Sequence, residues 1–237
     1  MDSNSTGIGH GWAWVTHAWQ LFTREPGLLI AMFLTIIGIQ IFLSLIPILG
    51  QLASMLLSPA LSGGVLYCAQ KLDRGEKIGF GNMFQAFQQE GKIGPMLMLG
   101  FVSLLLGVAA MVPMFVSMAG VMEMANNPDL QQNPMAAVAG ATGALFVMTV
   151  VIAVMIMLMF YATPLVMLRG VTIGVALKAS FIACLRNILP LTWYSIIITV
   201  LAFIAIIPMG LGLLVLAPVM MLSQYSSYKD VFEGVQA

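Results

Sequence analysis

The stretch from Lys178 to Phe232 reads KASFIACLRNILPLTWYSIIITVLAFIAIIPMGLGLLVLAPVMMLSQYSSYKDVF. It begins with an amphipathic segment and continues through two apolar segments, separated by a turn at Pro208. It then leaves the apolar region through Tyr225 and Lys229. A helix of about 20 apolar residues has the length that crosses a bilayer core. We therefore interpret this stretch as an interfacial helix followed by a transmembrane hairpin.

The composition of the whole chain agrees with this interpretation. Of its 237 residues, 60% are hydrophobic and only 8% are charged, whereas a soluble domain carries about 25% charged residues. A protein with so few charged residues has a mostly apolar surface. That surface is stable only where most of it meets lipid, because apolar area exposed to water is costly. The formal net charge is zero, which gives no reason to expect a nucleic-acid partner. The sequence thus predicts an all-α, polytopic membrane protein.

Six transmembrane helices are expected. The first four cover about residues 27–46, 51–70, 94–121 and 135–168, and the last two lie on either side of the turn at 208–212. The fourth would be roughly 50 Å long at 1.5 Å per residue, against a hydrocarbon core of roughly 30 Å. We expect it to tilt, break or project, and we place an extended hairpin at about 111–145 on the non-cytoplasmic side.

The six spans form three repeats of an interfacial amphipathic helix plus a helical hairpin, within a single membrane domain at 1–237. The units are about 8–70, 78–168 and 171–232. Pro95 and Pro113 are 18 residues apart, as are Pro190 and Pro208. The alternative is that proline simply favours helix ends in any membrane protein. The amphipathic stripes that open the units are Ile8, Trp12, Val15, Trp19 and Phe22; Phe80, Met83, Phe84 and Phe87; and Ile173, Leu177, Phe181 and Cys184.

Charge predicts the orientation. With six spans, all nine Lys and Arg residues fall on one side of the membrane, and the positive-inside rule makes that side, with both termini, cytoplasmic. Anionic lipids should favour the basic-flanked interfacial helices. The residues expected at the membrane interface or facing lipid are Trp12, Trp14, Trp19, Phe22, Phe84, Phe87, Phe181, Lys178 and Arg186.

Small residues at helical spacing predict close helix packing. They are Gly100 and Gly107 in the third span, and Ala136, Gly140 and Ala144 in the fourth. Packing within one chain is the expected role, and self-association is the alternative.

Candidate chemistry is sparse. Asp, Glu, Lys, Arg and His are absent from the middle of every predicted span, which argues against an ion-coupled carrier. His10 and His17 share a helix face without further metal ligands nearby, so we interpret them as headgroup-level polar residues. Methionines at 111, 114, 118 and 122 form a stripe that suits apolar packing or, less well, Cu(I). Asp73, Glu76 and Glu90 are expected as solvated loop acids. We assign no catalytic residue, no metal and no cofactor.

Several segments resemble one family of proteins. They are Lys178 to Asn187, Tyr225 to Phe232, Gly11 to Pro26, Asp73 to Glu76 and the region from Phe84 to Phe87. The chain is similar over nearly its whole length to a family of proteobacterial inner-membrane proteins of unknown function. That resemblance implies a bacterial inner-membrane location and a six-span topology, and it implies no activity, substrate or functional residue.

The function expected from these features is non-enzymatic. The first hypothesis is a scaffold or accessory factor that binds the bilayer, its anionic lipids or another membrane protein. The alternative is a channel or facilitator for a small molecule, with a path between the three units, because proline-broken helices free backbone carbonyls. An enzyme is the third and weakest class.

Overall fold

The computed structural model describes residues 3–126 and 134–234, and all regular structure in these ranges is helical. The helices are α1 (His10–Phe22), α2 (Pro26–Ser44), α3 (Leu49–Asp73), α4 (Gln85–Gln88, directly after a 3₁₀ turn at Phe80–Phe84), α5 (Ile93–Asn126), α6 (Pro134–Met159), α7 (Ala162–Arg169), α8 (Ile173–Arg186), α9 (Ile188–Ile206) and α10 (Leu213–Glu233). The all-helical class is confirmed for the described part of the chain.

Five segments of the described chain are long and apolar enough to cross a membrane. They are Pro26–Ser44, Leu49–Asp73, Ile93–Val116, Leu145–Arg169 and Ile188–Ile206. Helix α10 is not among them, although the sequence analysis expects a sixth span there. Its residues 213–222 are apolar but cover only about 15 Å, and its second half, 223–233, is polar.

The fourth expected span is broken in two, at Phe160 and Tyr161 between α6 and α7. Side chains from other helices bond to the backbone at this break. The Ser180 hydroxyl donates to the carbonyl of Met157 (2.7 Å) and accepts from the amide of Tyr161 (2.9 Å), and Gln224 donates to the carbonyl of Phe160 (2.5 Å). The break is thus supported by tertiary contacts, as a backbone away from water requires.

The buried faces of the amphipathic helices overlap the predicted stripes only in part. In α1 the buried residues are Gly11, Trp14, Val15, Ala18, Leu21 and Phe22. Trp12 and Trp19 remain about half exposed, at 53% and 50%. Trp14 is fully buried and Phe22 nearly so, so these two contact other helices and do not face lipid, and their place at the membrane interface stays a prediction. Trp14 is buried because its indole donates to Asp230, and the small residues Gly11 and Ala18 allow the close helix contact.

Helix α8 follows the same rule. Its buried residues are Ala176, Ala179, Ser180, Ala183 and Cys184. Of the predicted stripe only Cys184 is buried, and Ile173, Leu177 and Phe181 are half-buried. The middle amphipathic segment, in contrast, is not one helix. Its 3₁₀ turn packs so closely on α3 that a Cβ at Gly64 would overlap the carbonyl of Met83.

The apolar core is formed by residues from several helices. It includes the fully buried Leu66 of α3, Leu99 of α5, Leu165 of α7 and Leu222 of α10. Helix α1 packs against α10 and α9, the 3₁₀ turn against α3, and α8 against α6 and α7.

Helices α3 and α5 approach closely at Gly100. A Cβ at this position would lie 2.7 Å from Cα of Leu56, whereas one at Gly107 would lie 3.7 Å from the terminal methyl of Met55, an ordinary contact. The side chains at Ala136, Gly140 and Ala144 lie outside the described part of the structure.

We therefore predict opposite effects for two matched substitutions on α5. Gly100→Ala should lower the free energy of unfolding by about 1–3 kcal/mol, because backbone must move. Gly107→Ala should be neutral or stabilising by about 0.5–1 kcal/mol, because alanine favours a helix. Thermal denaturation in detergent measures both. Equal losses of stability would contradict the close approach at Gly100.

Candidate functional site

The densest group of polar side chains is built around the polar segment of α10, residues 223–233. Ser223, Ser226, Ser227 and Tyr228 are fully buried and Asp230 is 4% exposed. Ser223, Ser226, Ser227 and Asp230 bond to side chains of α9, α1 and the junction of α6 with α7, and the nearby Tyr225 and Lys229 bind Asp73 of α3. The buried Tyr228 hydroxyl has no hydrogen-bond partner among the described residues. Buried polar groups are costly unless they are hydrogen-bonded, so these contacts hold the helices in register.

Asp73, the last residue of α3, receives three partners. Lys229 Nζ lies 2.8 Å from its Oδ2, and the Tyr225 hydroxyl donates to the same oxygen at 2.9 Å. His17 Nε2 lies 3.2 Å from the other carboxylate oxygen. The carboxylate therefore joins α1, α3 and α10. It is not the solvated loop acid that the sequence analysis expects, because the end of α3 packs against α10.

A second carboxylate, Asp230, binds α1 in a similar way. Its Oδ2 lies 2.7 Å from His10 Nδ1, and the Trp14 indole donates to it at 2.8 Å. His10 and His17 thus each contact a carboxylate that is distant in sequence. Both histidines therefore form tertiary contacts between α1 and other helices. From the sequence they are interpreted only as polar residues at headgroup level.

Hydroxyl pairs and one arginine complete the network. Tyr161 pairs with Ser227 at 2.5 Å, and Tyr194 pairs with Ser223 at 2.6 Å. The Arg169 guanidinium donates to the carbonyl of Phe232 at 2.9 Å. It also lies 5.5 Å from the centroid of the Tyr228 ring, within the range of cation–π attraction.

Ser226, His17 and Asp73 form a hydrogen-bonded chain of the residue types that hydrolases use. The Ser226 hydroxyl lies 2.8 Å from His17 Nδ1. However, Ser226 is fully buried and also bonds the carbonyl of Leu222, and Asp73 is already paired with Lys229. A nucleophile must reach substrate, so we interpret these three hydrogen-bonded side chains as structural contacts that hold α1, α3 and α10 together.

Burial also changes the acid–base behaviour of groups near this network. It lowers the pKa of His17, although Asp73 raises it, and Lys229 and Arg24 lower it further. Burial raises the pKa of the Cys184 thiol to about 12, which keeps it protonated and unreactive. Burial lowers the pKa of Lys92, whose ammonium donates to the carbonyl of Met167 at 2.8 Å.

The other predicted site residues lie apart from this network. Phe84, Phe87 and Phe181 are half-buried, and Lys178 is exposed. Arg186 donates to the carbonyl of Ser3 at 3.1 Å, so it binds the N-terminal segment.

Among the side chains that the structure describes, the remaining acids and possible metal ligands do not form a site. Glu76 lies 3.8 Å from Lys71. The described methionines of the predicted stripe, Met111, Met114, Met118 and Met122, are all exposed. Among the described residues no group of three His, Cys, Asp or Glu side chains is placed to hold a metal ion.

The sequence analysis missed the network, although one signal for it exists. His10 and His17 lie two turns apart on one face of α1, and Ser226 and Asp230 lie one turn apart on one face of α10. Polar residues at matching helical spacing on two predicted membrane-associated helices indicate a shared face.

We compared the chain with protein-family models, with curated proteins and with solved structures, and none of the three comparisons returns a match.

The position of His17 leads to a prediction about pH. Because its folded-state pKa is depressed, the unfolded chain takes up the proton first, and stability should fall as pH drops from about 7.5 to about 5.5, through the ordinary histidine pKa of about 6.5. His17→Gln should make the pH dependence of the melting temperature shallower. Ser226→Ala, which removes the hydrogen bond but no titrating group, should lower stability at every pH and keep the slope. An unchanged slope in His17→Gln would contradict this assignment.

Proposed function

We propose that this protein is a non-enzymatic integral membrane protein that acts as a scaffold or accessory factor and binds membrane-protein partners or lipid. The observation that carries the proposal is an apolar arm formed by the outer parts of α5 and α6. We use this name for α5 from Met114 onward and for α6 up to Phe146. Helix α5 has 34 residues and is about 51 Å long, against about 30 Å for a bilayer core.

The outer part of this arm exposes large apolar side chains on both helices. Exposed residues include Met114, Phe115 and Phe146 at the outer ends of the two membrane-crossing segments, and Met118, Met122 and Met135 beyond those segments. Phe115 comes 22 residues after Ile93, or about 33 Å along the helix. Apolar surface that extends beyond the hydrocarbon core favours contact with a partner. Methionine suits such a surface because its side chain adapts to irregular shapes.

Lipid is the second kind of partner that the fold supports. A groove of about 600 Å³ lies between α1, α9 and α10, and Trp12 and Trp19 form one side of it. Indole side chains favour the boundary between headgroups and acyl chains. Val215, Leu216 and Ile204 on the other side give the groove an apolar wall.

The three-unit repeat is part of this proposal, and packing supports it. The 3₁₀ turn and α4, which open the second unit, pack against α3, the last helix of the first. Helix α8, which opens the third unit, packs against α6 and α7 of the second. Helix α1, which opens the first, packs against α10 of the third. The opening segments of the second and third units therefore contact the hairpin of the unit before them. The opening segment of the first unit contacts the hairpin of the third, so the three units form a closed cycle.

We also propose six spans with both termini in the cytoplasm of a bacterial cell, in the inner membrane, consistent with the family resemblance. Contacts between cations and distant segments support an even number of crossings, because two of them join the start of a hairpin to its own end and a third joins the end of one hairpin to the end of the next. Arg24 donates to the carbonyl of Leu72, Lys92 to that of Met167, and Arg169 lies 3.6 Å from Glu233. The sixth span would be α10, whose polar half is enclosed by protein.

A small-molecule facilitator is the second candidate function. It is favoured by one observation, a cavity lined with hydroxyl groups where α6 breaks before α7. The buried leucines of the core lie beyond that cavity, which favours the scaffold as the principal function.

The proposed orientation predicts which engineered thiols react from outside the cell. A cysteine at Met122, on the arm, should react with a membrane-impermeant maleimide added to intact cells. A cysteine at Lys77, between α3 and the 3₁₀ turn, should react only after the cells are opened. Both native side chains are exposed, so accessibility within the fold is matched. The opposite pattern would reverse the orientation.

The scaffold proposal predicts site-specific cross-linking. A photo-reactive phenylalanine analogue at Phe115 or Phe146 should give a discrete protein adduct in native membranes, in near-stoichiometric yield after purification. Phe203 on α9 is the matched control, since the three rings are 67%, 70% and 70% exposed. Protein adducts of equal yield at all three positions, or none from the arm, would contradict partner binding by the arm.

A further inference from the structure

Polar side chains from four helices converge on a cavity at the break between α6 and α7. It has a volume of about 280 Å³. Its polar lining residues are Ser58 and Ser62 of α3, Ser103 of α5, Thr163 of α7 and Gln224 of α10. Ser62 comes 13 residues after the start of α3 and 11 before its end, so the cavity lies near the middle of a membrane-spanning helix.

The lining offers both donors and acceptors of hydrogen bonds. Gln224 uses its amide nitrogen on the carbonyl of Phe160, so its amide oxygen remains an acceptor. Ser62 and Ser103 donate to backbone carbonyls of their own helices and keep oxygen lone pairs. Among the described residues, the hydroxyls of Ser58 and Thr163 have no hydrogen-bond partner, so both can donate.

Charge narrows the class of ligand. None of the residues that line the cavity is ionisable. A charged ligand in such a site would lose its hydration without gaining a counter-charge, which is costly away from water. An uncharged molecule with several hydroxyl groups would instead match the mixture of donors and acceptors.

The cavity is part of a stable arrangement, because its wall is fixed by tertiary contacts. The carbonyl of Phe160, at the break itself, is held by Gln224, and the Ser103 hydroxyl also lies 3.3 Å from the Met159 sulfur. Binding sites near the bilayer midplane beside discontinuous helices are a recurrent design in membrane proteins.

We propose that this cavity binds a small uncharged polyol. The proposal is independent of the apolar arm, so it can fail while partner binding survives, and the reverse. The volume equals about nine waters at about 30 Å³ each, which is enough for glycerol and smaller than a trisaccharide. One turn further along α3 on the same face, Leu66 is 1% exposed, so the cavity is closed on that side.

Cysteine accessibility tests the proposal in native membranes, with glycerol as the probe. Ser62→Cys should be alkylated by N-ethylmaleimide, because a thiolate forms only where water reaches it. Leu66→Cys should resist alkylation. Glycerol at twice its dissociation constant should slow alkylation of Ser62→Cys about threefold, since occupancy protects by a factor of one plus the ratio of concentration to that constant. Raffinose at equal osmolality should not slow it.

A pair of isosteric variants supplies the second measurement. Thr163→Val in the Ser62→Cys background should weaken glycerol protection, whereas Thr199→Val on the exposed side of α9 should leave it unchanged. Both variants should elute as single peaks in size-exclusion chromatography. The proposal is overturned if Ser62→Cys does not react or if Leu66→Cys reacts equally fast. It is also overturned if glycerol and raffinose protect to the same extent, because the cavity would then hold only water.

Discussion

Enclosure of the polar half of α10 is the constraint on which the rest of the structure depends. Ser223 of this segment pairs with Tyr194 of α9, and the neighbouring Trp193 and Ile196 of α9 are exposed on an apolar helix. Neither lipid nor an apolar core provides hydrogen-bond partners. Other helices must therefore supply them, and α1, α3 and α9 together with Tyr161 do so for every buried polar side chain of the segment except the Tyr228 hydroxyl.

This constraint explains why α1 lies along α10. Its small residues Gly11 and Ala18 permit close contact, and Trp14 and the two histidines reach the polar groups of α10. The large side chains of Trp12 and Trp19 point away from that contact and form one side of the apolar groove. In a membrane, burial of large apolar side chains does not drive helix association, because lipid tails are equally apolar. Close packing and paired polar groups drive it instead.

The two proposed activities use different parts of the fold. Partner binding uses the outer part of α5 and α6, where apolar side chains are exposed. Polyol binding uses the break at Phe160, where a helix end is stabilised by Gln224 and Ser180. The polar network around Asp73 and Asp230 serves neither directly. Its role is to hold α1 against α10.

The sequence by itself determined the helical class, the membrane location of the apolar helices and most of their boundaries, because length and hydropathy are local properties. The position of the break at Phe160, the buried face of α1 and the partners of Asp73 and Asp230 could not be predicted from it. A stripe of apolar residues shows that a helix is amphipathic but not which of its residues other helices cover, because lipid and protein both accept apolar side chains. Those features were decided only by the tertiary structure, because they depend on which distant side chains satisfy polar groups that have no water to bind.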